Sequence, residues 1–314
     1  MLRGNKIDLR SAERPGEGVP EWAIATPSRD GRLPGVRMAG FRDRSSEFVD
    51  MRFVPHPAVM VLVELREGNL VAEVDGRQQR GNLVAGLAPS GVRFYGRSDR
   101  EFECLQLRLT PTVAHAVLGA SGELSQTVVD LAHLWGRDAK RIQEQLCAAR
   151  SWDDRFALAA AAIGRRHEAG RAVDPEVAFA WRRLVVSRGR IRVERLAAEA
   201  GWSRKRLWTR FRSQIGLTPK HAAQLIRFDA AAHRLAAGES AALVAANTGY
   251  VDQSHLHRDI VAFTGMTPRA VAIAPWLAVD DVAWPSTENA SLSDRPGATP
   301  TVRQARRDDG WHRC

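Results

Sequence analysis

The chain has 314 residues and a formal net charge of +10, with 44% apolar and 26% charged residues. This length favours two domains with ordinary apolar cores. The 3 cysteines are too few for a disulfide framework. The charged N-terminus lacks the apolar stretch of a signal peptide, and no apolar run approaches the roughly 18 residues of a membrane span. We therefore expect a cytoplasmic protein.

The first half of the chain is predicted to be rich in β-strands. Residues 1–18 are polar, which predicts a flexible N-terminus. Turn signals at Glu67-Gly-Asn69 and Asp75-Gly-Arg77 then separate short β-rich segments and predict antiparallel hairpins. Several short strands at this spacing indicate a sandwich or small barrel. The clearest strands are Val59–Leu65, Leu70–Asp75 and Phe102–Leu109.

The spacing of apolar residues becomes helical after Thr110-Pro111. Asp174 before Pro175 is a favourable helix start and follows a predicted hinge, so residues 19–170 and 175–276 are predicted as two domains. Residues 277–314 are rich in Asp, Ser, Thr, Pro and Gly, which predicts a disordered tail. The fold class is therefore α+β. The first predicted helices are Pro111–Gly119, Arg137–Arg150 and Asp153–His167.

The positive charge is concentrated in the second predicted domain. Residues 182–275 contain 16 Lys and Arg against 6 Asp and Glu, which accounts for the whole excess of +10. A basic domain beside a neutral one indicates a polyanionic partner, most often nucleic acid. The alternative is a solvated helical surface that happens to be basic.

The basic segment contains an internal repeat. Leu196–Lys220 and Val244–Arg269 share matching glycines, apolar positions and Thr-Pro pairs, most of them 49 residues apart. In each copy a short helix ends at a glycine, Gly201 or Gly249, and an N-cap residue precedes a second helix. This pattern predicts two helix-turn-helix units, each with one face in a small core and one polar face free for a DNA groove.

The two units are joined by a predicted continuous helix, Pro219–Ala236. At about 1.5 Å per residue it spans roughly 27 Å. A strut of that order suits two recognition helices spaced about one DNA turn apart, roughly 34 Å. The sequence therefore predicts contacts with two successive major grooves.

The segment 190–273 resembles the C-terminal DNA-binding domain of the AraC/XylS transcriptional regulators. The most specific stretch is Gly249–Pro268, with Gly-Tyr, Gln-Ser-His-Leu, an aromatic residue, a glycine and Thr-Pro in the family's order. The resemblance implies a seven-helix domain and a double-stranded DNA partner. It also implies a cupin-like N-terminal domain that senses a small-molecule effector or forms a homodimer, and RNA polymerase as a further partner.

The resemblance assigns DNA-facing roles to residues of both second helices. Three arginines of the first unit are expected to contact phosphates, which position a protein without specifying sequence. Trp208 is the least typical base reader, and packing on the domain surface is its alternative. The implied base readers are Arg204, Lys205, Trp208, Thr209, Gln253, Ser254, His257 and Arg258, and the implied phosphate contacts are Arg206, Arg210 and Arg212.

The two units differ in charge. Residues 192–220 hold 8 basic and 2 acidic residues, whereas residues 241–269 hold 2 of each. Because phosphate attraction supplies much of the affinity for DNA, the first unit is expected to dominate binding.

An enzymatic role is the competing hypothesis. A cupin-type or DNA-acting enzyme would need a metal site or a reactive thiol, but His56 and His115 are isolated in the sequence. Cys104 lies on a predicted strand in line with Phe102 and Gln106, which predicts a buried, unreactive thiol. We therefore predict no catalytic residue, no metal and no cofactor. The helices at 137–167 are the predicted dimer surface.

Overall fold

The computed structural model describes residues 5–6, 22–27, 33–43, 50–66, 70–74, 76–89, 91–96, 102–119, 122–274, 277, 280 and 283–284. The N-terminal part consists of antiparallel strands in two sheets. The strands are β1 Asn5–Lys6, β2 Trp22–Ala25, β3 Val36–Asp43, β4 Asp50–Arg52, β5 Val59–Glu64, β6 Leu70–Val74, β7 Arg77–Arg80, β8 Leu83–Ala85, β9 Arg93–Gly96, β10 Phe102–Leu109 and β11 Val128–Asp130.

The seven-stranded sheet, in the order β1-β2-β3-β10-β5-β8-β11, has apolar cores on both faces. One face packs against the four-stranded sheet β4-β9-β6-β7. The other face packs against helices. Double burial explains why Val59–Val63 is a continuous apolar run, since neither face of β5 meets water.

The predicted α+β architecture is confirmed, with two differences in the strands. Of the two predicted turns, the one at Gly76, with φ of +74°, forms a hairpin that joins β6 to β7. The hairpin predicted at Glu67-Gly-Asn69 is wrong, because β5 and β6 belong to different sheets. Within the predicted flexible N-terminus, Asn5–Lys6 pairs with β2, which satisfies its backbone groups.

The described residues that follow β10 are mainly helical. Helices α5 to α11 are the seven helices that the resemblance implied within residues 175–276. The helices are α1 Pro111–Leu118, α2 Leu131–Trp135, α3 Arg137–Ala148, α4 Trp152–Ala169, α5 Pro175–Val186, α6 Val193–Glu199, α7 Arg204–Ile215, α8 Pro219–Ala236, α9 Ala241–Thr248, α10 Gln253–Thr264 and α11 Pro268–Ala272. Among the described residues, every helix is too short or too polar to cross a bilayer.

The two parts of the chain share one continuous apolar core. It runs from the helical face of the seven-stranded sheet into the centre of the C-terminal helices. Helix α1 packs on α7, and Gly122 approaches the end of α7 so closely that a Cβ atom would lie 2.4 Å from the carbonyl oxygen of Ser213. The sandwich therefore contacts the helix that was predicted to enter DNA.

A substitution at Gly40 on β3 tests how tightly the helices pack against their face of the sheet. A Cβ atom there would lie 2.2 Å from the indole of buried Trp152. Gly40→Ala is expected to lower the free energy of unfolding by about 1–3 kcal/mol through overpacking. Gly164→Ala is the matched control, because its Cβ would meet nothing within 4 Å in the middle of α4. Urea unfolding should find the control neutral or stabilising; equal effects would contradict the packing argument.

Candidate DNA interface and interdomain cluster

The two helix-turn-helix units have the same local construction. Helix α9 ends at Gly249, with φ of +84°, and the turn after α6 passes through Gly201, with φ of +69°. These are left-handed conformations that glycine adopts without strain. Ser203 and Asp252 then cap α7 and α10, each accepting a backbone hydrogen bond from the first turn of its helix. Both caps match the sequence prediction.

The inner faces of α7 and α10 are anchored in the same way. Leu207 and Phe211 on α7, and Leu256 and Ile260 on α10, are fully buried. Each pair is spaced i, i+4, and the two pairs are 49 residues apart, so the repeat in sequence is a repeat in structure. The opposite face of each helix is left for solvent or a partner.

The outer face of α7 carries the predicted contact residues. At 100° per residue, Lys205, Thr209 and Arg212 fall on the side away from the buried face, with Trp208 beside them. All four are exposed, and 44% of Trp208 is accessible. The Thr209 hydroxyl donates to the carbonyl of Lys205 at 3.0 Å. The guanidinium of Arg212 lies 5.2 Å from the centre of the Trp208 ring.

Two of the predicted contact residues form ion pairs within the protein. Arg204 pairs with Glu194 of α6 at 3.0 Å. Arg210 binds both carboxylate oxygens of Asp174, at 2.7 and 2.8 Å, and this pair holds the pKa of Asp174 below its usual range. The pair joins α7 to the start of α5, so a phosphate contact by Arg210 would compete with it.

The outer face of α10 is less basic. Gln253, Ser254, His257 and Arg258 are all exposed, as are their counterparts on α7. At the position equivalent to Arg212, however, stands Val261, which is 40% exposed. The second unit thus has the same shape as the first unit but fewer positive charges on its outer face.

The strut helix α8 lies between the units and shows its full predicted length. Thr218 caps its start, and its buried face includes Leu225 and Phe228. The ring of Phe228 packs 4.9 Å from that of Phe263 on α10. The strut therefore shares the core of the second unit and fixes its orientation.

A cluster of charged side chains joins α8 to the sandwich. We define the interdomain cluster as His56, Arg108, Asp229, His233 and Asp280. Asp229 bonds His56 Nδ1 at 2.8 Å, and Arg108 donates to His56 Nε2 at 3.1 Å. Arg108 also donates two hydrogen bonds to Asp280, at 2.7 and 3.1 Å, and His233 Nε2 bonds Asp280 at 2.9 Å. Sandwich, strut and C-terminal segment therefore meet in one network.

The protonation of the cluster follows from its charges. Burial alone would lower the pKa of His233, but the hydrogen bond to Asp280 and the charges of Asp229 and Asp280 raise it to about 9. Burial would raise the pKa of Asp280, but the charge of Arg108 and the hydrogen bonds from His233 and Arg108 hold it far below its usual range. At neutral pH the network therefore contains an imidazolium and a carboxylate.

The donor atoms of His56, His233 and Asp280 lie within 4.8 Å of one another, a set that can hold a divalent metal. Arg108 donates to both His56 and Asp280. Because a guanidinium already supplies the positive charge and uses the same lone pairs, these residues fit an ion-pair network better than a metal site.

Sequence reasoning missed this cluster. His56 is isolated in the sequence, and Asp280 and Trp284 fall within the segment predicted as a disordered tail. In the structure Leu277, Ala283 and Trp284 are buried, so that tail was predicted to start too early. The spacing of Leu277, Asp280 and Trp284 is helical and is the signal that could have located this segment. Residues 285–314 lie outside the described part of the chain.

The remaining candidates for chemistry are structural. Cys104 is buried, and burial raises the pKa of its thiol well above the ordinary value, so little reactive thiolate forms. His115 is half-buried on α1, where burial lowers its pKa. Neither residue adjoins the interdomain cluster in sequence or in the described contacts.

The chain was compared with protein families and with known proteins. Residues 196–272 match a family model described as "Helix-turn-helix domain". ToxT from Vibrio cholerae O395 is 9% identical, with a TM-score of 0.46, covering 77% of this chain and 98% of that chain. A cupin domain from Bordetella pertussis Tohama I is 16% identical, with a TM-score of 0.22, covering 30% of this chain and 98% of that chain. No curated protein matches the chain.

Proposed function

Since residues 196–272 form an AraC-type helix-turn-helix domain, we propose that the protein is a cytoplasmic transcriptional regulator that binds specific DNA with α7 and α10 in successive major grooves. The carrying observation is the repeat itself. Two helices of equal length, 49 residues apart, bury matching faces and expose matching polar faces. A duplicated groove-reading element has this form, whereas a single catalytic site does not require it.

The exposed residues divide into two roles. Arg206 and Arg212 suit phosphate contacts, because a guanidinium is a strong donor to phosphate oxygens. The polar side chains of Lys205, Thr209 and Ser254 suit hydrogen bonds to base edges. The other proposed base readers are Arg204, Trp208, Gln253, His257 and Arg258.

The sandwich is proposed as the sensing or dimerisation domain. It contacts α7 through α1 and α8 through the interdomain cluster, so a change in the sandwich can reach both units. A small-molecule effector, a second copy of the chain and RNA polymerase are the proposed partners besides DNA. Two observations argue against the enzyme hypothesis: the thiol of Cys104 is buried, and the guanidinium of Arg108 occupies the lone pairs of the interdomain cluster that a metal would need.

The proposal is tested by incubating the full-length protein with sheared genomic DNA at near-physiological salt and sequencing the retained fragments. Two boxes about one helical turn apart are the expected result. Retention without any common motif would contradict specific binding and favour an architectural DNA binder. No retention by the full chain, with retention by residues 175–276 alone, would indicate that the sandwich restrains binding.

Lys205→Ala tests base readout on the recovered site. Loss of one base contact is expected to cost about 1–3 kcal/mol at a single base position and to relax the preference there. Arg210→Ala is the control, because its partner is Asp174, and it should leave the base preference unchanged. Competition binding with single-base variants measures both. A uniform loss across all sequences for Lys205→Ala would assign that residue to the phosphates.

A further inference from the structure

The C-terminal segment places an aromatic side chain in the core between the two sheets. Trp284 is only 5% exposed and belongs to the same apolar cluster as Phe41 on β3 and Phe94 on β9. Its ring lies 6.3 Å from that of Phe41. A residue beyond the helix-turn-helix units thus completes the core of the N-terminal sandwich.

Two arginines hold this aromatic group. Arg37 and Arg108 face each other across β3 and β10. The guanidinium of Arg108 lies 4.4 Å from the centre of the Trp284 ring, a cation–π distance. Arg37 donates a hydrogen bond to the carbonyl oxygen of Trp284 at 2.7 Å. The sheet therefore contacts the planar ring of Trp284 with an apolar side chain, Phe41, and with the guanidinium of Arg108.

The same segment is bound to the strut. The backbone N–H of Trp284 donates to the carbonyl of Asp280 at 2.7 Å, so the two residues share one helical turn. The Asp280 carboxylate accepts from Arg108 below the ring and is paired with His233 on α8. Displacement of the indole would therefore disturb the one carboxylate that links Arg108 to His233.

We propose that the space beside Phe41 and Arg108 is a binding site for a planar aromatic group, that Trp284 is its resident occupant, and that departure of this occupant loosens the strut helix from the sandwich. This inference rests on the proposed function in one respect: the loosening of α8 would transmit a change from the sensing domain to the DNA-binding domain. A free aromatic molecule must compete with a tethered one, whose effective concentration is high. Binding of a free aromatic molecule should therefore become measurable once the Trp284 side chain has been removed.

The test uses Trp284→Ala in the full-length protein and measures hydrogen exchange of the backbone amides at 229–236, the last turns of α8. We expect exchange there to accelerate roughly tenfold, because the coupling through Asp280 is weakened. Free indole at millimolar concentration should refill the space and slow exchange again. Trp284→Phe, which keeps a smaller ring, should give an intermediate rate.

Trp208→Ala is the matched control, since it removes an equally large ring from an exposed position on α7. It should leave exchange at 229–236 unchanged and unresponsive to indole. Unchanged exchange in Trp284→Ala would overturn the coupling. Accelerated exchange that indole does not reverse would overturn the binding site. Circular dichroism melting verifies that each variant is folded, and the genomic DNA selection, which does not involve indole, tests the proposed function separately.

Discussion

Replacing Lys205, Arg206 and Arg212 together by glutamine is expected to weaken binding to all DNA by on the order of 100-fold at near-physiological salt. The three cations are exposed on α7, and none of them forms an ion pair among the described contacts. Each phosphate contact releases close to one counterion, so loss of the two proposed phosphate contacts, Arg206 and Arg212, should reduce the magnitude of the slope of log K against log salt by about 2. Fluorescence anisotropy at several salt concentrations measures both quantities.

The second unit supplies the comparison. Arg258→Gln removes one proposed base reader from α10 and should weaken binding only about fivefold, with a smaller change in the salt slope than the triple substitution. Val261→Arg restores the cation that the equivalent position of α7 carries and should strengthen binding by a similar factor. If Arg258→Gln weakened binding as much as the triple substitution, the proposed dominance of the first unit would be wrong.

Phe211→Ala is expected to lower the free energy of unfolding of the C-terminal domain by about 3–5 kcal/mol. The ring is fully buried at the centre of the first unit and lies 6.4 Å from the ring of Trp181 on α5. Its removal leaves a cavity between α5 and α7. The side chains that line this cavity lose dispersion contacts that water cannot replace. Because the outer face of α7 depends on this anchor, specific DNA binding should be lost together with stability.

Val186→Ala on α5 provides the control for this substitution. Its side chain is 74% exposed, so truncation should change the unfolding free energy by less than about 0.5 kcal/mol. Thermal and urea unfolding, each followed by circular dichroism, compare the two variants. A cost below about 1 kcal/mol for Phe211→Ala would mean that the first unit is held by contacts other than this core.

The helix-turn-helix units could be predicted from sequence because their determinants are local. The caps Ser203 and Asp252, the glycines at 201 and 249, and apolar pairs at i, i+4 all act within a few residues of one another. Helix formation follows from such short-range signals whenever the apolar face finds a core. The bounds of α8 follow from similar local signals, whereas the seven helices of the domain were implied by the family resemblance.

Strand pairing was less predictable, since it depends on partners distant in the chain. The turn after β6 was identified from its glycine, but the choice of sheet for β5 and β6 is set by how apolar faces stack in space. Local turn signals carry no information about that choice. This is why one of the two predicted hairpins was wrong.

Only the tertiary structure revealed the interdomain cluster. Its bonds join His56 to Asp229, 173 residues apart, and Arg108 to Asp280, 172 residues apart. No periodicity connects such positions, and a charged side chain that is isolated in sequence looks the same whether it meets solvent or an ion-pair partner. Local sequence signals were enough to predict two helix-turn-helix units and their unequal charge. Folding decided which cations remain exposed on α7, which are paired within the protein, and that Trp284 belongs to a core built from the other end of the chain.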